Sequence, residues 1–385
     1  MKKILAVAIA SAFAAPAFAA TSNVDVYGSI NLSMERVDNG PDSWNRMVTN
    51  NNSFLGFKGS EDLGGGLKAV WQLETNVNFD GNQSNATDAG NVFGTRNTFV
   101  GLAGGFGTVV AGVHDTPYKM ATGPLDIFVG TLGDYNGVFG AAGLMGSNPS
   151  ALFDLRTANT IAYLSPKFGG FDVKAAYVMG KEGAEKAPLD RSSAYSLSGT
   201  YANGPLFVTA AYEKHNSAGT TACNVGATCL SEGTLDRKSW KIGAGYAIAG
   251  FKLGAVYEKM DSDDFTIPGA INPLDVASVD HNSWMLNAAY TMGAVTLKGS
   301  FTKAGKVGDI EDSDAKMYAL GADYALSKRT VVQLTYAKMN NDDAGGWALG
   351  QGPQVTSASV VEPGVGTFAV GSDLSGFSLG VKHTF

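Results

Sequence analysis

Segments of about ten residues in which apolar and polar side chains alternate constrain this chain more than any other feature. The first runs from Val24 to Glu35, and its apolar face carries Val24, Val26, Ile30, Leu32 and Met34. A period of two residues indicates a β-strand with one apolar face. The segment is longer than the five or six residues of a typical globular strand, and its length suits a tilted strand that crosses a bilayer.

Sixteen segments of this kind follow one another along the chain. They cover about 24–35, 53–62, 67–79, 96–103, 107–115, 158–166, 170–180, 192–202, 205–215, 237–248, 251–260, 282–292, 294–303, 315–326, 329–339 and 374–385. An even number of strands lets both chain ends lie on the same side of a membrane. After residue 20 no run of about eighteen apolar residues occurs, which excludes a protein that crosses the membrane by helices.

The connections between these segments alternate between short and long. The short ones are residues 62–66, 104–106, 166–170, 203–205, 249–250, 292–294 and 327–328. The long ones are residues 38–52, 80–95, 116–157, 181–191, 216–236, 261–281, 304–314 and 340–373. Short turns at one rim and long loops at the other are typical of an outer-membrane barrel, whereas a soluble β-sandwich has no reason to sort its loops in this way. The pattern predicts an all-β protein, a transmembrane antiparallel β-barrel of sixteen strands.

Aromatic residues on the apolar faces support a bilayer environment. Phe171 with Tyr177, and Phe251 with Tyr257, lie six residues apart on strands that leave the short-turn rim. Six residues span about 20 Å, close to the apolar band of about 25 Å that aromatic girdles border in such barrels. The last strand ends on Phe385, which resembles the carboxy-terminal signal read by the outer-membrane assembly machinery.

The first nineteen residues have the pattern of a secretory signal peptide. Lys2 and Lys3 precede an apolar stretch from Ile4 to Phe13, and Ala17-Phe18-Ala19 is a cleavage site of the A-x-A type. The apolar stretch is too short to span about 30 Å of hydrocarbon as a helix. We therefore expect a signal peptide at 1–19 and a barrel domain at 20–385.

Charge and cysteine content limit the partners of the exported chain. Without Lys2 and Lys3, 26 basic side chains remain against 35 acidic ones, which excludes nucleic acid as a natural partner. Cys223 and Cys229 lie in one polar segment, where we expect a local disulfide in an exported protein. A metal pair is disfavoured because no His or Cys ligands cluster beside them, and the sequence indicates neither a metal site nor a cofactor.

The third long connection, residues 116–157, differs from the rest of the chain. It is roughly forty residues without alternation, and connections longer than about fifteen residues are usually functional. We expect it to fold into the mouth of the barrel and to narrow it.

With these features together, the chain resembles the general trimeric porins of Gram-negative bacteria, closest to the β-proteobacterial type. The resemblance covers the whole mature chain and rests on Val26-Tyr27-Gly28, Leu55–Gly64 with Gln72 and Glu74, Arg96 with Phe99-Val100-Gly101-Leu102, Gly123-Pro124-Leu125-Asp126, Arg156 with Tyr163, and Phe385. It implies a homotrimer in the outer membrane, in contact with lipid and lipopolysaccharide. It also implies a third loop whose acids face arginines on the barrel wall.

The resemblance assigns a pore constriction residue by residue. Arg96 and Arg156 match wall arginines, and Asp126 matches an acid of the loop. The match covers these three residues only. With Asp134 of the loop and with Lys58, which would lie below the narrowest level, the expected constriction consists of Arg96, Arg156, Asp126, Asp134 and Lys58. The sequence departs from the family pattern at Phe54, which replaces an expected wall arginine, and at His114-Asp115, where Gly-Arg-Gln is common. The first departure weakens the positive cluster and with it the expectation of strong anion preference.

Strand parity assigns a polar face independently of the resemblance. That face includes Glu74, Lys174 and Lys298, which we expect to line the lumen of a barrel wide enough for water. Opposed charges across the constriction would orient dipolar solutes and disfavour apolar ones. The acids of the outer loops, such as Asp261, Asp263 and Asp264, are either solvated or bridged through divalent cations to lipopolysaccharide.

Three functions are compared on this basis. The favoured one is a porin for passive diffusion of ions and small hydrophilic solutes. An outer-membrane enzyme is disfavoured because no nucleophile motif accompanies any of the four histidines. A substrate-selective channel for sugars, phosphate or organic acids remains open, because Phe128, Tyr135 and Phe139 in the third loop could form a solute-stacking ladder.

Overall fold

A computed structural model describes residues 23–38, 43–48, 51–77, 79, 93–141, 153–179, 193–218, 234–262, 280–350 and 371–385. The expected signal peptide at 1–19, the cysteines Cys223 and Cys229, and the acids Asp263 and Asp264 lie outside these residues. The expectations that rest on them therefore stay predictions.

Antiparallel β-strands make up most of the described chain. They are β1 (Asn23–Asp38), β2 (Ser43–Val48), β3 (Phe54–Gly64), β4 (Leu67–Asn76), β5 (Thr98–Gly104), β6 (Gly107–Asp115), β7 (Arg156–Leu164), β8 (Phe171–Val178), β9 (Ser193–Asn203), β10 (Leu206–Ala218), β11 (Thr234–Ile248), β12 (Phe251–Ser262), β13 (His281–Met292), β14 (Val295–Ala304), β15 (Ala315–Ala325), β16 (Thr330–Asn341) and β17 (Leu374–Thr384). From β3 onward each strand pairs with the next, and β1 pairs with both β3 and β17. The sheet therefore closes on itself, as the alternating pattern predicts.

One strand lies where the sequence predicts only loop. β2 falls within the first long connection and pairs with the outer half of β1, from Ser33 to Asp38. β3 pairs with the other half of β1, from Asn23 to Ser29. β2 and β3 thus occupy the same edge of β1 one after the other, so the barrel is still sixteen strands around.

The short turns have the backbone geometry that tight antiparallel hairpins require. Ala249 and Gly250 join β11 to β12 with φ values of +49° and +86°. Positive φ at both central residues is the type I′ geometry whose twist matches the flanking strands, and glycine adopts it without a steric penalty.

The two faces of the barrel differ sharply. The outer face exposes large apolar side chains, and Val100 and Leu320 are each 63% exposed. Such a continuous apolar surface marks contact with a membrane. On the inner face polar side chains such as Ser239 and Glu258 are fully buried. Among the described residues, no helix combines the length and the apolar character that crossing a bilayer would need.

The third loop (residues 116–155, of which 142–152 lie outside the described residues) begins with a short helix. This helix, α1 (Pro117–Thr122), is capped by the Thr116 hydroxyl, which accepts a hydrogen bond from the Lys119 amide, and it has proline at its start. The loop then packs against the inner face of strands far along the chain. Asn287 on β13 donates to the Leu125 carbonyl, and Asn31 on β1 donates to the Gly130 carbonyl.

An apolar core lies inside the barrel, where the alternating pattern leads one to expect a polar lumen. Inward-facing methionines on β12, β13, β15 and β16 are buried: Met260, Met285, Met317 and Met339. The third loop covers them with buried apolar side chains of its own, which include Leu125, Phe128, Leu132, Val138 and Phe139. The inner wall on these strands is therefore a docking face for this loop, because burying apolar area on both partners stabilises their contact.

Candidate functional site

Arg96 is held against the wall by an aromatic ring and an acid. Its guanidinium lies over the Phe54 ring at 4.9 Å, and its Nε is 3.8 Å from Glu74 Oε2. Its Nη1 donates to Asn76 Oδ1 at 3.3 Å. Phe54, which stands where the family pattern places an arginine, thus supports the neighbouring arginine through a cation–π contact.

Arg156 forms a paired contact with the last residue of β6. Its Nε lies 3.0 Å from Asp115 Oδ1, and its Nη2 is 3.3 Å from Asp115 Oδ2. Asn97 joins the pair, since it donates to Asp115 Oδ2 at 2.8 Å and accepts from Arg156 Nε at 3.3 Å. A bulge in β7, where Ala158 and Asn159 face the single residue between Gly112 and His114 of β6, sets Asp115 directly opposite Arg156.

The two arginines and their acids form one charged cluster on the wall. Glu74 is also fixed by the Tyr27 hydroxyl, which donates to its Oε1 at 2.8 Å. Each arginine therefore has a carboxylate partner, and the net charge of the cluster is small. Sequence reasoning missed the role of Asp115, although the departure from Gly-Arg-Gln at this position was a signal for it.

Lys58 lies apart from this cluster. It is exposed, and its ammonium lies 4.9 Å from the centre of the Tyr27 ring. On β3 it is four residues from Phe54, or roughly 13 Å at ~3.3 Å per residue, toward the short-turn rim. Within the described ranges it forms no ion pair. It does not share a level with the arginines.

The two acids predicted for the loop side of the constriction serve the loop itself. Asp134 is fully buried, and its carboxylate accepts from the Gly130 and Asn136 amides at 2.8 and 3.0 Å. Asp126 accepts from the Phe128 amide at 2.8 Å. Burial and the adjacent Asp134 raise the pKa of Asp126 well above its usual value, and burial raises that of Asp134. Among the described residues neither acid forms an ion pair with a wall arginine.

A buried polar network anchors the third loop to β11 and β12. The Tyr118 hydroxyl lies 2.7 Å from Glu258 Oε2 and 2.6 Å from the Ser239 hydroxyl. The Lys241 ammonium contacts the carboxylate of Asp154 at the far end of the loop and lies 4.1 Å from the Tyr118 ring centre. Such a network is stable only when its members are mutually satisfied, so it fixes one position of the loop.

The remaining predicted lumen residues have different surroundings. Glu74 is part of the arginine cluster described above. Lys174 pairs with Asp172 near the short-turn rim. Lys298 pairs with Asp323 at 2.9 Å, and the Phe128 ring covers it at 4.7 Å, which leaves its side chain 4% exposed. Lys298 is therefore on the predicted face but beneath the loop.

The eighth loop (residues 342–373, of which 351–370 lie outside the described residues) also reaches the third loop. Trp347 is fully buried, and its indole donates to the Ser313 carbonyl at 3.0 Å. A Cβ on Gly137 of the third loop would lie only 2.9 Å from the Ala348 carbonyl oxygen. A second loop thus supports the first, which the sequence did not indicate.

No metal site accompanies these features in the part of the chain that the structure describes. No group of three His, Cys, Asp or Glu side chains is arranged there to hold an ion. Asp261, one of the outer-loop acids that could bridge through divalent cations, lies 2.8 Å from the Lys238 ammonium.

A closed sixteen-stranded barrel with an apolar outer face, a charged inner wall and a loop packed inside it defines an outer-membrane channel. The family model described as "Gram-negative porin" matches residues 6–344. The chain belongs to the Gram-negative porin family.

Relatives and solved structures agree with this assignment. Outer membrane porin protein 32 of Delftia acidovorans is 30% identical over 397 residues and covers 100% of both chains. Major outer membrane protein P.IB of Neisseria meningitidis is 29% identical and covers 86% of this chain and 91% of that protein. The anion-selective porin from Comamonas acidovorans superposes with a TM-score of 0.74 at 25% identity, over 94% of this chain and 100% of that chain.

The protein is therefore an outer-membrane channel for passive diffusion and not an enzyme. Inside the barrel, one part of the wall carries the paired charges of Arg96 and Arg156, and the third loop covers an apolar core on the other part.

Proposed function

We propose that ions and small hydrophilic solutes pass between the third loop and the wall that carries Arg96 and Arg156, and that this passage has only modest ion selectivity. The observation that carries the proposal is the pairing of each wall arginine with a carboxylate, Arg96 with Glu74 and Arg156 with Asp115. Paired charges of opposite sign give a local transverse field with little net charge. Lys58, deeper toward the short-turn rim, adds a cation that has no such partner in the described residues.

Zero-current potentials in planar bilayers under a salt gradient test this proposal. Charge reversal at Arg96 and Arg156 together removes both cations, so we expect a shift toward cation preference. Asp115→Asn leaves Arg156 without its counter-charge, so we expect a shift toward anion preference. Arg156→Lys keeps the charge and serves as the matched control. Unchanged potentials in the first two variants would contradict the assignment.

A substrate-selective channel is the alternative, and the position of the loop aromatics argues against it. Phe128, Tyr135 and Phe139 are 1%, 3% and 0% exposed, so they pack in the core and offer no ladder to a solute. Liposome swelling with a series of sugars distinguishes the two functions. Rates that fall smoothly with solute size support general diffusion, whereas a rate that saturates for one sugar supports selectivity.

We also propose that the chain assembles as a homotrimer. The family resemblance supports this proposal, as does a structurally similar porin, OmpT of Vibrio cholerae, which is described in a trimer form. Migration on gels before and after heating, together with light scattering in detergent, tests it. A monomer in both measurements would overturn the proposal. Contacts with outer-membrane lipid and lipopolysaccharide stay predictions.

A further inference from the structure

A recess lies in the lumen wall between the arginine cluster and the short-turn rim. Its volume is about 380 Å³, a size that suits one small solute. Its lining comes from β1 and β3–β7 and includes Asp25, Lys58, Gln72, Phe99 and Val110. None of the residues that hold Arg96 or Arg156 in place is among these five.

Two opposite charges border the recess without neutralising each other. Asp25 and Lys58 are directly opposite on β1 and β3, and both are exposed. Their Cβ atoms are about 5 Å apart in such a pair. The Lys58 ammonium is nevertheless over the Tyr27 ring, one inward-facing position further along β1. In the described part of the chain, neither residue has an ion-pair partner.

The far side of the recess is apolar, which is unusual for an aqueous passage. Val70, Phe99, Val110 and Leu164 all line it. They form one packed cluster, in which Val110 is 2% exposed and the others are partly exposed. Phe99 is two strands from Lys58, roughly 10 Å at ~4.8 Å per strand. Apolar area on this face therefore lies within the length of a small amphipathic molecule.

We propose that this recess binds zwitterionic amino acids with an apolar side chain as they pass through the channel. The carboxylate of the solute contacts Lys58, its ammonium contacts Asp25, and its side chain lies on Phe99 and Val70, which are partly exposed in the lining. A simple anion would meet the charge of Asp25, and glycine would leave the apolar wall uncovered. This inference rests on the proposed function, because it requires an open aqueous path to the recess.

Single-channel recordings with L-phenylalanine as the probe test the inference. We expect concentration-dependent interruption of the ion current. Glycine lacks the ring, 3-phenylpropanoate lacks the ammonium, and phenethylamine lacks the carboxylate. Each should bind about threefold to tenfold more weakly, the range for one exposed or partly buried charge contact or a small apolar contact.

Substitutions in the recess connect the binding to named residues. Lys58→Gln and Asp25→Asn each remove one charge, and we expect each to weaken phenylalanine block by a similar factor. Val70→Thr keeps the shape but makes this partly exposed part of the wall polar, so it weakens phenylalanine block without affecting glycine. Lys252→Gln removes an exposed inward-facing charge on β12, outside the recess, and is the matched control.

The outcomes separate the inference from the function on which it rests. Normal conductance without phenylalanine block, or equal block by all four probes, overturns the inference alone. Tighter block by 3-phenylpropanoate that strengthens in Asp25→Asn overturns it in favour of an anion site. Absence of any channel conductance in the wild-type protein contradicts the proposed function instead. Each variant's conductance without added solute shows whether it has folded.

Discussion

Two single residues on the wall, Phe54 and Asp115, change the surroundings of the neighbouring arginines. Phe54 removes a charge that the family pattern expects, yet its ring supports Arg96 at 4.9 Å. A contact of this kind stabilises by about 0.5–2 kcal/mol, depending on how far it is removed from water. Asp115 also lowers the net positive charge of the wall, because its carboxylate pairs with Arg156. Both departures from the family pattern therefore lower the net positive charge of the wall.

The partly buried loop acid Asp126 leads to a prediction about pH. Burial and Asp134 raise its pKa, so the folded loop keeps a proton that the unfolded chain releases near pH 4. The stability from this group is complete below about pH 4 and is lost as pH rises toward the raised pKa. Asp126→Asn is neutral at every pH and keeps the acceptor for the Phe128 amide. We expect about fivefold slower hydrogen exchange of that amide at pH 8, equivalent to about 1 kcal/mol, and a smaller effect at pH 5.

The exposed acid Asp309 provides the control for this measurement, since Asp309→Asn removes a carboxylate of the seventh long connection that is already solvated. Comparing each variant with the wild type at the same pH removes the intrinsic pH dependence of exchange. Faster exchange of the Phe128 amide in Asp126→Asn at pH 8 would show that the ionised carboxylate supports the loop.

At the scale of elements, the third loop is a part of the interior and not a free connection. It has apolar contacts with inward-facing methionines and a buried polar network at Tyr118, Glu258 and Lys241. The apolar contacts are non-directional and hold the loop against the wall, whereas the hydrogen bonds are directional and fix its position along the wall. The width of the passage therefore depends on an anchor that lies away from the charged cluster.

Tyr118→Phe tests that anchor. It removes the hydroxyl that contacts Glu258 and Ser239 and leaves a buried carboxyl with one partner fewer. A hydrogen bond to a carboxylate contributes about 1.5–3 kcal/mol. We expect hydrogen exchange in α1 to become about 30-fold faster, as about 2 kcal/mol implies, and open-channel current to become noisier.

Tyr212→Phe is the matched control for this change, because Tyr212 is 42% exposed on the outer face of β10. Unchanged exchange in α1 of Tyr118→Phe would mean that the apolar contacts hold the loop without the network.

At the scale of the whole molecule, the seam between the chain ends closes the barrel. The Gly28 amide donates to the Phe385 carbonyl and the Phe385 amide donates to the Gly28 carbonyl, both at 3.1 Å. A Cβ on Gly28 would lie 2.6 Å from the Phe385 ring and 2.7 Å from the Phe54 carbonyl oxygen. The terminal aromatic residue thus packs on the first strand, and only glycine fits beneath it.

Gly28→Ala should therefore weaken closure of the barrel. Overpacking of this kind costs about 1–3 kcal/mol, so we expect the folded band on gels to be lost at a lower temperature or urea concentration. Gly299→Ala is the control, because a Cβ there lies 3.6 Å from its nearest neighbour, Leu320. If both variants lose the folded band at the same temperature and urea concentration, the seam accommodates the added Cβ without a loss of stability.

The sequence by itself determined the barrel: the observed strands match the predicted segments within a few residues, apart from β2. Alternation depends only on neighbouring residues in a strand. The odd or even position of a residue in its strand therefore also predicted that Glu74, Lys58, Lys174 and Lys298 lie on the inner face. Only the tertiary structure decided which of them water reaches. Lys298 is covered because Phe128, 170 residues earlier, lies on it. Contacts between residues so far apart in the chain produce no periodic pattern in the sequence. The third loop has no periodic pattern of its own either.

Contacts between distant residues also decide the surroundings of the two loop acids and the partners of the two arginines. Asp126 and Asp134 read as pore residues in the sequence, but the fold turns them toward loop amides. Asp115 meets Arg156 only because β6 and β7 pair across a bulge. The pattern of a strand depends on neighbours two residues apart, whereas the charge of a passage depends on which side chains the closed barrel brings together.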